Sequence, residues 1–329
     1  MVLLAATLAL LASADPPLET AAEAAAERPT VLDLKPSLLI AEFLYEGPFQ
    51  RVTSVHCDPG TGEIYVADAT QGVIGIFDER GAPLFAFSDA EHLAEPRRIT
   101  VDSKGRIYAL DLDWTHVKVF NYRGDFEESI DVAALAGQPV QLSALALDDE
   151  GLLWVGDSLN GQILAIGAGP RLLRRFGVPG NGPGELGGIA SLAVDRERVY
   201  VADQTSLGVQ VYSRFGRYQR GWGLHETGKA NVSLPAGIAV DGAGRIILVD
   251  MLRHEIKYFE PDGKLIEVFG GIGRQPGDVS YPGDVSVGRG GVVCVAEKGN
   301  SRVQVFDPVV GVRQTKPADR PPREQRAGR

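Results

Sequence analysis

From about residue 50 to residue 307 the chain alternates short, β-branched apolar runs with clusters of Gly, Asp, Pro and Ser. Helical periodicity is absent from these runs, which predicts short strands joined by tight turns. The stretch 235–270, PAGIAVDGAGRIILVDMLRHEIKYFEPDGKLIEVFG, shows the unit most clearly. Ile238 to Asp241 reads as strand a, and Gly242-Ala243-Gly244 as a turn that needs positive φ. Arg245 to Val249 reads as strand b, and Ile256 to Glu260 as strand c. Pro261-Asp262-Gly263 turns the chain again into strand d, Lys264 to Phe269.

The unit repeats. The acid that ends strand b falls at Asp68, Asp111, Asp157, Asp203, Asp250 and Glu297, in steps of 43, 46, 46, 47 and 47 residues. A second column precedes it at Asp58, Asp102, Asp148, Asp195 and Asp241, with Gly288 in the sixth copy. Two columns in step over six copies of four strands predict an all-β fold: a six-bladed β-propeller of four-stranded antiparallel blades. Aromatic columns follow the same step. Tyr65, Tyr108, Trp154 and Tyr200 share a place in strand b, and Phe87, Phe176, Trp222 and Phe269 one late in strand d. Aromatics that recur with the repeat are expected between blades.

Copy six reads VAEKGNSRVQVFD at residues 295–307 and resembles the signature of NHL repeats. VADQTSLGVQVY in copy four and VADATQGVIGIF in copy one are close variants. The resemblance spans roughly residues 38–310 and implies the propeller fold; function on a shared fold lives in grafted sites. Copy six has strands a to c, ending at Phe306, and no strand d. Leu38 to Tyr45 (LLIAEFLY) is strand-like and precedes copy one. This N-terminal strand is expected to complete the last blade beside Val303–Phe306, hiding an edge.

Composition narrows the function classes. The net charge of −10 opposes binding to phosphate backbones, so no nucleic acid is expected. Cys57 and Cys294 are the two cysteines, too few for a disulfide scaffold and without metal-ligand spacing. Residues 1–14 read as a signal peptide: an apolar run, Val2 to Ala12, ends in Ala12-Ser13-Ala14, although no Lys or Arg precedes it. The localisation expected is periplasmic or secreted, with cleavage after Ala14; the alternative is an anchor formed by the uncleaved segment. Residues 15–36 read as a linker, 37–310 as the propeller and 311–329 as a disordered basic tail. No membrane span is expected in the mature chain, and a monomer is expected.

The six acids closing strands b form a ring, which suggests a cation on the axis. The competing reading is that each acid accepts backbone N–H groups and shapes its own loop, and recurrence in every copy favours it. Histidine is sparse: His56, His92, His116, His225 and His254. No HExxH motif, serine nucleophile elbow or phosphate loop is present; Gly177 to Gly188 joins two strands and reads as a long d–a loop. No catalytic residue, metal ligand or cofactor is therefore assigned.

Departures from the repeat supply the candidates. At the start of strand a the copies carry Ser54, Arg98, Ala144, Ser191, Gly237 and Asp284, so Arg98 and Asp284 interrupt a column of small residues. Trp114 fits no column and lies with His116 in the b–c loop of copy two; His254 lies in that of copy five. Arg98, Trp114, His116, His254 and Asp284 are the candidate binding residues, with blade two as the favoured face. The function expected is an extracytoplasmic binding or scaffold protein that engages a cell-envelope protein partner or a small ligand through propeller loops. The alternative is a hydrolase or lyase, similar in architecture to lactonase-like and amidating-lyase propellers. That resemblance would imply an axial metal held by His or by Glu, Asn and Asp side chains. Glu46-Gly47-Pro48 is similar to the acidic start of the lactonase type, but Glu46 stands 12 residues before Asp58.

Overall fold

The computed structural model describes residues 30–206, 208–223 and 228–311, with no side-chain description at Leu32. The repeats become six four-stranded sheets. Blade one holds Val52–Cys57, Ile64–Asp68, Val73–Phe77 and Pro83–Ser88 as strands a to d. Blade two holds Arg98–Val101, Ile107–Leu110, His116–Phe120 and Phe126–Asp131. Blade three holds Leu142–Leu147, Leu153–Asp157, Gln162–Gly167 and Arg171–Phe176. Blade four holds Ile189–Val194, Arg198–Asp203, Gly208–Ser213 and Tyr218–Gly223. Blade five holds Pro235–Val240, Ile246–Asp250, Glu255–Phe259 and Leu265–Gly270. Each a strand touches that of the next blade, and blade six touches blade one, so the inner strands form a closed ring. The fold is a six-bladed β-propeller within Val31–Val309.

Blade six is Pro282–Val287, Val293–Glu297, Arg302–Gly311 and the N-terminal strand Thr30–Ile40. The expected N-terminal closure is present, but its strand begins earlier than Leu38–Tyr45. Residues 30–36, which read as linker by composition, are strand. Val31, Leu34 and Ile40 bury their side chains there. Pro36 makes this stretch look unlike a strand, yet an outermost strand tolerates proline because one side of its backbone needs no partner. The second half of LLIAEFLY forms a short hairpin instead, Glu42–Phe43 against Gly47–Pro48.

Burial follows the repeat. Six apolar clusters lie between successive blades, including one between blades six and one. Tyr65, Tyr108, Trp154 and Tyr200 are buried as the aromatic column requires. Their polar tips return to the preceding turn: Trp154 Nε1 donates to Asp148 at 2.9 Å and the Tyr200 hydroxyl to Asp195 at 2.8 Å. The strand d aromatics cover the c–d turn of the next blade. A Cβ on Gly216 (φ 85°) would lie 2.4 Å from Phe176, and one on Gly263 (φ 93°) 2.7 Å from Trp222. Glycine is needed there for both the left-handed backbone and the close ring.

Cys57 and Cys294 form a disulfide with Cα atoms 6.6 Å apart. Cys57 ends strand a of blade one and Cys294 sits in strand b of blade six. The bond therefore crosses the junction where the ring closes, a role that counting cysteines does not reveal.

Candidate ligand-binding basin

The ring of acids is structural. All six carboxylates are buried. Asp203 accepts from the N–H groups of Gly187 (3.0 Å) and Gly188 (3.2 Å) before its blade, and from Thr205 (2.8 Å) and Ser206 (3.0 Å) after it. Asp68 does the same with Gln50, Arg51, Thr70 and Gln71. Glu297 instead takes the Ser280 N–H, Asn300, Gln304 and the Arg302 guanidinium. Five of the acids tie the loop entering their blade to the loop leaving strand b, while Asp111 accepts from the entering loop alone, through the Ala94 and Glu95 N–H groups. Their lone pairs are committed to N–H donors, and among the described residues no three His, Cys, Asp or Glu side chains converge as a metal site.

The axis is occupied by a cation of the protein itself. Arg98 reaches across the ring and donates to the carbonyls of Ala190 (2.9 Å), Ala236 (2.8 Å) and Gly283 (3.1 Å), from blades four to six. Its guanidinium also meets Asp284 Oδ1 at 3.1 Å. Asp284 Oδ2 accepts from the Ser54 hydroxyl at 2.5 Å, and Ser54 accepts the Ile99 N–H at 3.1 Å. The two residues that interrupt the small-residue column thus neutralise each other on the axis. Five blades carry a β-bulge at the start of strand a; blade two, which projects Arg98, pairs without one. The residues on the axis do not fit the metal that a lactonase-like or amidating-lyase-like site would need. A guanidinium stands among carbonyls where three metal donors would have to converge.

Arg98 divides two spaces. On one side lies a narrow channel of about 170 Å3, lined by the a strands and by His56 and Asp284. Burial drives the His56 imidazole down to about 4, against the opposing charge of Asp58, and its Nε2 has no partner. On the other side is a basin of about 400 Å3, walled by d–a and b–c loops. Leu110, Leu142, Ile189, Met251 and Trp114 supply its apolar wall. Arg51, Arg97, Arg98 and Lys298 supply positive charge. The Arg97 guanidinium lies 4.5 Å from the centroid of the Trp114 ring. Lys298 arches over Gly283, its side chain 2.7 Å from where a Cβ would stand. Crowding by the protein lowers its ammonium below the usual lysine range. The charges of Arg98, Arg51 and Arg97 add to this, and Asp284 opposes it.

The five candidates are therefore placed differently. Arg98 and Trp114 line the basin, and Asp284 lies beneath it in the channel. His116 is held within its own blade by Asp113 (2.7 Å) and Thr115 (2.9 Å). His254 accepts the Tyr281 N–H at 3.0 Å and packs edge-on against that ring. Neither histidine lines the basin. His92 stacks on Phe126, and His225 lies outside the described residues. Arg51, Arg97 and Lys298 escape notice in the sequence because they fall in loop positions where a charge reads as a solvated surface. A signal does exist for Lys298: it directly follows the buried Glu297, at the height where every strand b ends.

Residues 279–306 match the NHL repeat family. The chain is a six-bladed β-propeller that carries an NHL repeat. No curated protein matches its sequence. Among solved structures it is similar to virginiamycin B lyase from Staphylococcus aureus, at 10% identity over 84% of this chain and 100% of that one, with a TM-score of 0.60. A streptogramin B lyase is similar at 13% identity over 83% and 98%, with a TM-score of 0.58. A protein of unknown function from Bacteroides thetaiotaomicron VPI-5482 reaches 16% identity over 85% and 76%, with a TM-score of 0.66. At these identities the likeness is one of fold.

Proposed function

We propose that this NHL-repeat propeller is an extracytoplasmic binding protein whose working surface is the basin beside Arg98. The observation that carries the reading is the basin itself. It is concave, of ligand size, lined by apolar and polar side chains in similar measure, and placed over the axis. Its wall draws on all six blades, so the ring holds it in a single shape. The Cys57–Cys294 disulfide supports placement outside the cytoplasm, because such bonds persist in oxidising compartments. The signal-like segment at residues 1–14 points the same way.

A lyase or hydrolase is the second reading, favoured by the fold likeness to the two lyases. Among the described residues the axial side chains do not assemble the metal site that such chemistry would use. A thermal-shift screen of the full chain with neutral, cationic and anionic small molecules tests the binding reading. Stabilising compounds are expected, and Trp114→Ala should weaken their effect. A screen without a single stabilising compound would contradict it. Stoichiometric metal in the purified protein, with a melting point lowered by chelation, would favour the enzyme reading instead.

A further inference from the structure

The basin's charges are unevenly matched. Glu95 serves two of its arginines, Arg51 at 2.8 Å and Arg97 at 3.6 Å. Arg98 takes Asp284 and three carbonyls. Asp111 also lines the wall, but its oxygens already accept the N–H groups of Ala94 and Glu95. Among the described residues no carboxylate pairs with the ammonium of Lys298. An amine without a counter-charge, facing a hollow that three guanidinium groups share, is a place for an anion. The rest of the lining sets the apolar Leu110, Leu142, Ile189, Met251 and Trp114 beside the uncharged Thr53, Ser143 and Gln204.

We propose that the basin takes an organic monoanion, a carboxylate carried on an aromatic or branched apolar body. The carboxylate would pair with Lys298, and the apolar body would lie against Trp114 and Met251. The proposal rests on reading the basin as the binding surface. A polyphosphate is disfavoured because two of the arginines already share Glu95, Arg98 is paired with Asp284, and Asp111 adds a negative charge to the wall. The volume of about 400 Å3 suits a small organic molecule and leaves no room for a folded partner inside it. The Lys298 ammonium is lowered first by burial; the charges of Arg98, Arg51 and Arg97 add to the shift, and it is this smaller part that a bound anion would offset.

The test uses 2-naphthoate, its neutral isostere 2-naphthamide, and inorganic phosphate, each titrated calorimetrically into the full chain at pH 7. Naphthoate should bind at least tenfold more tightly than the amide, and phosphate should bind more weakly than either. Lys298→Gln should abolish the preference for naphthoate over the amide, and Lys298→Arg should restore it. Arg289→Ala, on the opposite face, should leave both affinities unchanged. A melting point shared by the variants and the parent excludes misfolding. Equal binding of naphthoate and naphthamide would overturn the proposal while leaving the basin as a binding site. Phosphate binding as tight as that of naphthoate would also overturn it, since the apolar body would then have no part. If neither aromatic probe binds, the proposal fails. The broader reading falls with it only if the small-molecule screen is empty as well.

Discussion

The acids that close strands b show how one residue type can serve a whole architecture. Asp203 is wholly buried and takes four backbone N–H groups from two loops. Removing it strands those donors, each of which costs about 1–3 kcal/mol when buried and unpaired. Asp203→Ala is expected to lower stability by about 3 kcal/mol or more, read as a fall in the denaturation midpoint. Loss below about 0.5 kcal/mol would contradict the structural role. His56 makes the opposite prediction, one of pH. Its folded imidazole is held near 4 against an ordinary 6.5. The unfolded chain therefore binds the proton first, so stability falls as pH drops from about 6.5 to 4. The loss attributable to this group is on the order of a few kcal/mol. His56→Gln should flatten that part of the pH–melting curve; superimposable curves would contradict it.

At the scale of the element, the repeat columns make the strands, turns and aromatic layers legible in the sequence itself. The N-terminal closure is legible there in kind and misplaced in register. Pro36 disguises the true strand, and LLIAEFLY attracts attention because its apolar residues run together. Neither an apolar run nor a strict period of two marks the strand, since Val31, Leu34 and Ile40 are buried at unequal steps and Pro36 is exposed. Deleting Thr30–Ile40 removes the outermost strand of blade six and uncovers Val305, whose carbonyl accepts from the Ser37 hydroxyl at 3.2 Å. The deletion is expected to lower the melting temperature of the whole propeller in one transition. A variant that melts like the parent would show that the strand closes nothing. The candidate site is less legible. Arg98, Asp284 and Trp114 stand out because they depart from their columns. His116 and His254 stand out only because histidine is rare, and the fold turns each to a neighbouring loop residue instead of the basin.

For the whole molecule, the ring depends on two closures at one junction. The N-terminal strand joins blade six at its outer edge, and the disulfide joins blade six to blade one over a sequence separation of 237 residues. A cross-link over so long a loop restricts the unfolded chain by about 5–6 kcal/mol in the chain-entropy account. Replacing Cys57 and Cys294 together by alanine, or reducing the bond, is expected to lower stability by several kcal/mol with the fold retained. An unchanged denaturation midpoint would contradict the closure role. The same rigidity gives the basin its shape, because residues from all six blades line it and Arg98 ties four blades together beneath its floor.

A crystal structure of the full chain soaked with 2-naphthoate shows whether this basin is where the ligand binds. The expected result is a ligand in the basin, with its carboxylate against Lys298 and its rings beside Trp114 and Met251. A fully occupied ligand at the other mouth of the channel, among the a–b turns near Arg196 and Arg289, with the basin left empty, would contradict it.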